Sequence, residues 1–141
     1  MSQINYARVG LGALVGGIVA NAADFAINAY LLVEDGQRMI QRLNLDPATV
    51  EAAMPAWIVI DFVYAFLVVW NYAAMRPRFG PGPATAFKAG FVIWAGIFVI
   101  LIGFQQMGIF TPDSFMKNSA YSFVSMVLMS LAGCYFYKES N

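Results

Sequence analysis

The sequence predicts an all-α integral membrane protein, a four-transmembrane-helix bundle with a short amphipathic helical segment in its first loop. Three observations predict it. Of 141 residues, 60% are hydrophobic and only 11% are charged, whereas a soluble domain is about half apolar and about a quarter charged. Four apolar stretches recur along the chain, each near the roughly 20 residues that cross a bilayer as a helix. Charged residues and prolines collect between them, as expected where each backbone amide in lipid must be satisfied within its own helix. Mean hydropathy is +0.65. The length suits a single transmembrane domain over 1–141.

The first span is expected at about 6–33. Arg8 is the one basic residue ahead of the apolar run, which is long enough to cross the bilayer. The run continues into Asn21, Asp24 and Asn28 without a small-residue cleavage site, so a span is expected rather than a signal peptide. Gly12, Gly16 and Ala20 follow the small-xxx-small spacing that lets helix backbones approach closely. Gly10, Ala13, Gly17, Asn21, Asp24 and Asn28 advance by three or four residues and form one stripe, small at its start and polar at its end.

The first loop, about 34–54, carries its own helix signals. Met39, Ile40 and Leu43 sit at helical spacing beside Arg38 and Arg42. Asp46-Pro47 reads as an N-cap followed by proline at the first helical position. The segment is expected on the membrane surface or across one end of the bundle.

The second span is expected at about 55–75. Arg76-Pro77-Arg78-Phe79-Gly80-Pro81-Gly82-Pro83 follows, and its three prolines and two glycines predict a stiff turn that ends the helix at Met75. The third span is expected at about 84–107 and the fourth at about 112–137. Thr111-Pro112-Asp113 supplies an N-cap, a proline and a first-turn acid for the last helix.

Basic residues set the orientation. Arg8, Arg76, Arg78, Lys88 and Lys138 fall on one side; Arg38, Arg42 and Lys117 fall on the other, with Glu34, Asp35, Asp46, Glu51 and Asp113. Both termini are therefore expected in the cytoplasm. Arg76 and Arg78 then lie at the cytoplasmic lipid boundary, where they either anchor topology or contact lipid phosphates or a partner's carboxylates.

A centrally placed acid costs about 2.5–3.5 kcal/mol on insertion scales, so Asp24 calls for a partner. By rise per residue, Asp61 and Lys117 fall at similar depth, with Asn28 and Asn118 close by. Asn21, Asp24, Asn28, Asp61, Lys117 and Asn118 thus form an expected intramembrane polar cluster. With a lysine at that depth, a structural Asp24–Lys117–Asp61 cluster is the favoured arrangement. A carboxyl pair sharing one proton, the alternative, would support proton-coupled transport. Ser119, Ser122, Ser125 and Ser130, with Met126 and Met129, read as packing residues of the fourth helix. Trp57, Trp70, Tyr72, Trp94, Tyr135 and Tyr137 include several placed as interface anchors. Contact of the deeper aromatics with a pigment or quinone stays open.

No histidine is present and Cys134 is the one cysteine. The commonest metal ligand and haem ligand are thus absent, and one cysteine builds neither an internal disulfide nor a metal site. A net charge of zero gives no general attraction to nucleic acid. Phosphate-loop and nucleophile-elbow motifs are missing. The expectation is a protein that is not an enzyme, with no covalent or metal cofactor and with bound lipid.

The run from Tyr72 to Ala86, Tyr-Ala-Ala-Met-Arg-Pro-Arg-Phe-Gly-Pro-Gly-Pro-Ala-Thr-Ala, resembles the central turn of a family of small uncharacterised bacterial four-helix membrane proteins. The glycine-rich opening helix from Gly12 to Asn28 and the Ala132-Gly133 close before a charged tail are similar too. The long loop 34–54 departs from that pattern. The resemblance implies topology and a bacterial inner membrane and supplies no catalytic residues. By elimination, the expected function is an accessory subunit of a larger membrane complex, of the respiratory or photosynthetic kind, docked to other subunits through Gly12, Gly16 and Ala20. The alternative is a small homo-oligomeric transporter or channel that uses the polar cluster.

Overall fold

The structure is a computed structural model that describes residues 4–139; the outermost ends of the domain expected over 1–141 lie outside the described residues. Helix α1 (Tyr6–Ala26) opens under the side chain of Asn5, which accepts from the Arg8 amide at 3.1 Å. It runs into a π-helical turn, Ile27–Leu31. The loop then folds into α2 (Val33–Arg42) and α3 (Pro47–Ala52). Three longer helices follow: α4 (Met54–Phe79), α5 (Pro83–Gln106) and α6 (Pro112–Tyr135). No strand occurs among the described residues.

Helix starts follow their side chains. Asp46 accepts from the amides of Ala48 and Thr49, and Thr111 from that of Ser114; Pro47 and Pro112 occupy the first turns, where no amide hydrogen is needed.

The turn after α4 differs from expectation. The helix continues through Arg76 and Pro77 to Phe79, and the turn shrinks to Gly80–Gly82. Proline this close to a helix end forfeits one backbone bond, while the Gly80 amide closes the last turn onto the Arg76 carbonyl at 2.8 Å. The stop is set by Gly80 and Gly82, whose φ values of 78° and 130° lie where side chains other than glycine are strained.

Three stretches are long and apolar enough to cross a membrane: Tyr6–Leu31, Pro47–Phe79 and Pro83–Gln106. Helix α6 matches them in length but falls outside this set, because its sequence is richer in serine, which the other three stretches lack. The four long helices run antiparallel in sequence order. Helix α1 packs on α4 and α6, α5 packs on the same two from the other side, and α4 and α6 touch along the diagonal.

The core is built from small and flexible residues. Val9, Ala65, Val68, Val69, Ala73, Ala86, Ala89, Met126 and Met129 are buried. Larger apolar side chains point outward, among them Leu14, Ile18, Val59, Val63, Val92, Val99 and Ile100. That distribution suits a lipid surround, where close backbone packing rather than apolar burial holds helices together.

Candidate functional site

Asp24 occupies the last α-helical turn of α1, ahead of the π segment. Its carboxyl lies within side-chain hydrogen-bonding reach of Asp61 on α4 and of Ser125 on α6. Three helices therefore meet at this acid. Asn21 stands almost one turn before Asp24; its amide donates to the Gly17 carbonyl at 2.9 Å and to the Ile58 carbonyl of α4 at 3.3 Å. Asn28, one turn after, donates to the Asp24 carbonyl at 2.8 Å. Both asparagines spend their donors on backbone and leave the Asp24 carboxyl to its neighbours. Tyr64 lies near Asp24, one turn along α4 from Asp61, and its hydroxyl is buried without a hydrogen-bond partner.

Lys117 does not join this group, contrary to the expected Asp24–Lys117–Asp61 cluster. Its ammonium lies 2.8 Å from Asp113 and 3.2 Å from Asp35. Lys117 sits in the second turn of α6, and α2 folds back over that end, bringing Asp35 to it. Depth along a helix axis, the basis of the expectation, fixes neither rotation nor the course of a loop. Asn118 is likewise turned to its own helix, donating to the Ser114 carbonyl at 2.8 Å. Arg42 donates to the carbonyls of Gly108 and Ile109 in the turn between α5 and α6. These bridges hold α2 across the bundle end, where it borders a cleft of about 310 Å³ lined by residues including Asp35, Arg38, Met39, Arg42, Asp113 and Ser114. Asn28 and Asn118 line a smaller recess of about 70 Å³ that shares Asp35, Met39 and Ser114 with it.

The opposite end holds the two arginines expected at the lipid boundary, and the structure separates them. Arg76 turns inward, its guanidinium 5.8 Å from the Tyr72 ring centre and 5.4 Å from that of Tyr137. Its Nε is 3.7 Å from a Glu139 carboxylate oxygen, too far for a hydrogen bond, and is buried without another partner. Arg78 is exposed and lies over Phe79 at 5.8 Å.

The seam of Gly12, Gly16 and Ala20 is spent inside the fold. A Cβ built on Gly12 would stand 2.6 Å from the Gly133 carbonyl oxygen, and one on Gly16 would stand 3.3 Å from that of Met129. Ala20 is 2% exposed. These residues bring α1 against α6 and α4 and offer no free face for docking onto another subunit.

Sequence reasoning misses five participants. By sequence Ser125 reads as a packing residue, and Tyr64 carries no mark beyond its i+3 spacing from Asp61. Asp35 and Arg42 stand in the sequence only as charges of the first loop. Asn71, whose amide donates across to the Ala89 carbonyl of α5 at 3.0 Å, is the one amide side chain of α4, and that is its signal in the sequence.

Two carboxyls this close with no cation between them would repel one another strongly if both were ionised. The donors are all oxygen. Among the described residues no group of three or more histidine, cysteine or acidic side chains gathers to hold a metal. No family model matches the chain, and no curated protein or solved structure matches it.

Proposed function

We propose that the chain crosses the bacterial inner membrane four times, with both termini in the cytoplasm, and acts as a small proton-coupled transporter assembled from several copies. The observation that carries this reading is the Asp24–Asp61 pair: two acids on neighbouring helices, flanked by Ser125, with the lysine that would neutralise them engaged elsewhere. Intramembrane acids that face one another rather than a base are suited to taking up and releasing a proton. Four helices with a tight core leave no room for a pathway within one copy, which is why several are invoked.

The fourth span is supported by the way α6 divides its residues. Ser114, Ser119, Ser125 and Ser130 are buried, whereas Val124, Leu128, Leu131 and Tyr135 face outward. Its polar side chains lower the average hydropathy without meeting lipid. The orientation rests on the basic residues gathered at the Arg76 end.

The experiment is proton flux into liposomes holding the purified protein and a trapped pH dye. Wild type should dissipate an imposed pH gradient faster than empty liposomes, and Asp24→Asn and Asp61→Asn should each abolish the difference while remaining folded. Flux equal to empty liposomes, with a stoichiometric partner recovered in mild detergent, would overturn this reading in favour of an accessory subunit.

A further inference from the structure

The two ends of the bundle treat their cations differently. At the α2 end each cation is engaged by protein: Arg38 pairs with Glu34 at 2.8 Å, Arg42 holds turn carbonyls, and Lys117 holds Asp35 and Asp113. At the other end Arg76 has Glu139 and two tyrosines. Arg78 and Lys88 have no carboxylate within ion-pair distance among the described residues. Yet they converge. The Lys88 ammonium lies 4.8 Å and the Arg78 guanidinium 5.8 Å from the centre of one ring, Phe79.

The fold produces this convergence. Because α4 continues past Pro77, Arg78 and Phe79 sit on its final turn. The short glycine turn then starts α5 at the same level, with Lys88 in its second turn. Phe79 is half exposed, and Tyr6, Tyr135 and Phe136 are exposed at the same end. Aromatic side chains gather where the hydrocarbon meets the headgroups, so the two cations stand at headgroup depth. A guanidinium and an ammonium without a protein counter-charge at that depth are complementary to a phosphodiester.

We infer that Arg78, Lys88 and Phe79 form a binding site for one anionic phospholipid headgroup, with the ring held beneath the phosphate and against the first methylenes of the chains. Arg76, expected beside Arg78 in this role, is excluded from it by its inward packing. The site stands apart from the carboxyl pair and does not depend on what that pair does.

The test uses purified full-length protein in mild detergent, titrated with phosphatidylglycerol or phosphatidylcholine and read by native mass spectrometry. Phosphatidylglycerol should bind wild type at least about tenfold more tightly than phosphatidylcholine, as two surface cations provide. The variant R78Q/K88Q should lose that preference. The exchanged variant R78K/K88R, which keeps both charges, should retain it, as should Arg38→Gln at the far end. An unchanged preference in R78Q/K88Q, its loss in the exchanged variant, or its removal by millimolar inorganic phosphate would each overturn the assignment.

Discussion

The ammonium of Lys117 and the carboxylate of Asp35 lie 3.2 Å apart, joining the second turn of α6 to a helix that has no buried residue of its own. Asp113 shares the lysine from the preceding turn, and Arg42 adds a second tie to the turn between α5 and α6. Helix α2 is thus held by polar bridges, with little packing beneath it.

Lys117→Met should therefore loosen α2 and leave the bundle intact. Hydrogen exchange should accelerate over Val33–Arg42, with little change in the thermal midpoint. A double-mutant cycle should show coupling between Lys117 and Asp35 and none between Lys117 and Asp24. Coupling to Asp24 instead would restore the arrangement that the sequence suggested.

What was legible in the sequence follows a physical line. Helices and caps are local: hydropathy, Asp46-Pro47 and Thr111-Pro112 specify them within a few residues, and they fold accordingly. The stripe of Asn21, Asp24 and Asn28 is set by helical repeat, so Asp24 could be marked as needing a partner. Which partner it meets depends on helix rotation and loop course. Asp61 and Ser125 face it while Lys117, at similar depth, is drawn to Asp35. The Gly12 seam could be seen as a packing face. Whether that face served this chain or another was not encoded in the spacing.

Gly12 and Gly16 should not be equally sensitive. An added methyl at Gly12 would meet the Gly133 carbonyl at 2.6 Å and Val69 at 2.9 Å, but at Gly16 its nearest neighbour is 3.3 Å away. A backbone atom cannot turn aside as a side chain can. Gly12→Ala should destabilise by about 1–3 kcal/mol, the usual range for overpacking, and Gly16→Ala by clearly less. Unfolding in denaturant from mixed micelles would measure both, and a reversed order would refute the α1–α6 contact.

Asn71 joins α4 to α5 through the Ala89 carbonyl. Interhelical bonds of this kind in membrane proteins contribute about 0.6 kcal/mol on average and up to about 1.7. Asn71→Leu should lose an amount in that range, since the Ala89 carbonyl keeps its own helical bond. A stability gain would mean that the asparagine is spent on something other than holding the helices.

Outside the bundle, Asp46 caps α3 through Thr49 and Ala48, and these hydrogen bonds lower its carboxyl from the ordinary 3.8. Stabilisation by a lowered acid is present above the unfolded value and is lost as pH falls through the folded one. Protection of the α3 amides, corrected for intrinsic exchange, should hold from pH 7 to 5 and fall only below about 4. Asp46→Ala should remove protection at every pH.

Arg76 fastens the C-terminal segment to the bundle. Tyr137 is 4% exposed. Its ring meets Tyr72 edge-on at 5.9 Å, and its hydroxyl lies 3.4 Å from the Asn5 amide. The guanidinium contacts both rings. A cation over an aromatic face contributes about 0.5–1 kcal/mol when exposed and about 2 when desolvated, and Arg76 is largely shielded, its side chain 16% exposed. Arg76→Gln should therefore cost about 1–2 kcal/mol and release residues 136–139. Limited carboxypeptidase digestion should remove that segment faster than in wild type. Arg76→Lys keeps the charge but loses the flat group that spans two rings, so it should recover only part of the protection. Full protection in Arg76→Lys would show that charge alone, through Glu139, holds the segment in place. Wild-type protection in Arg76→Gln would show that Tyr137 holds it without the arginine.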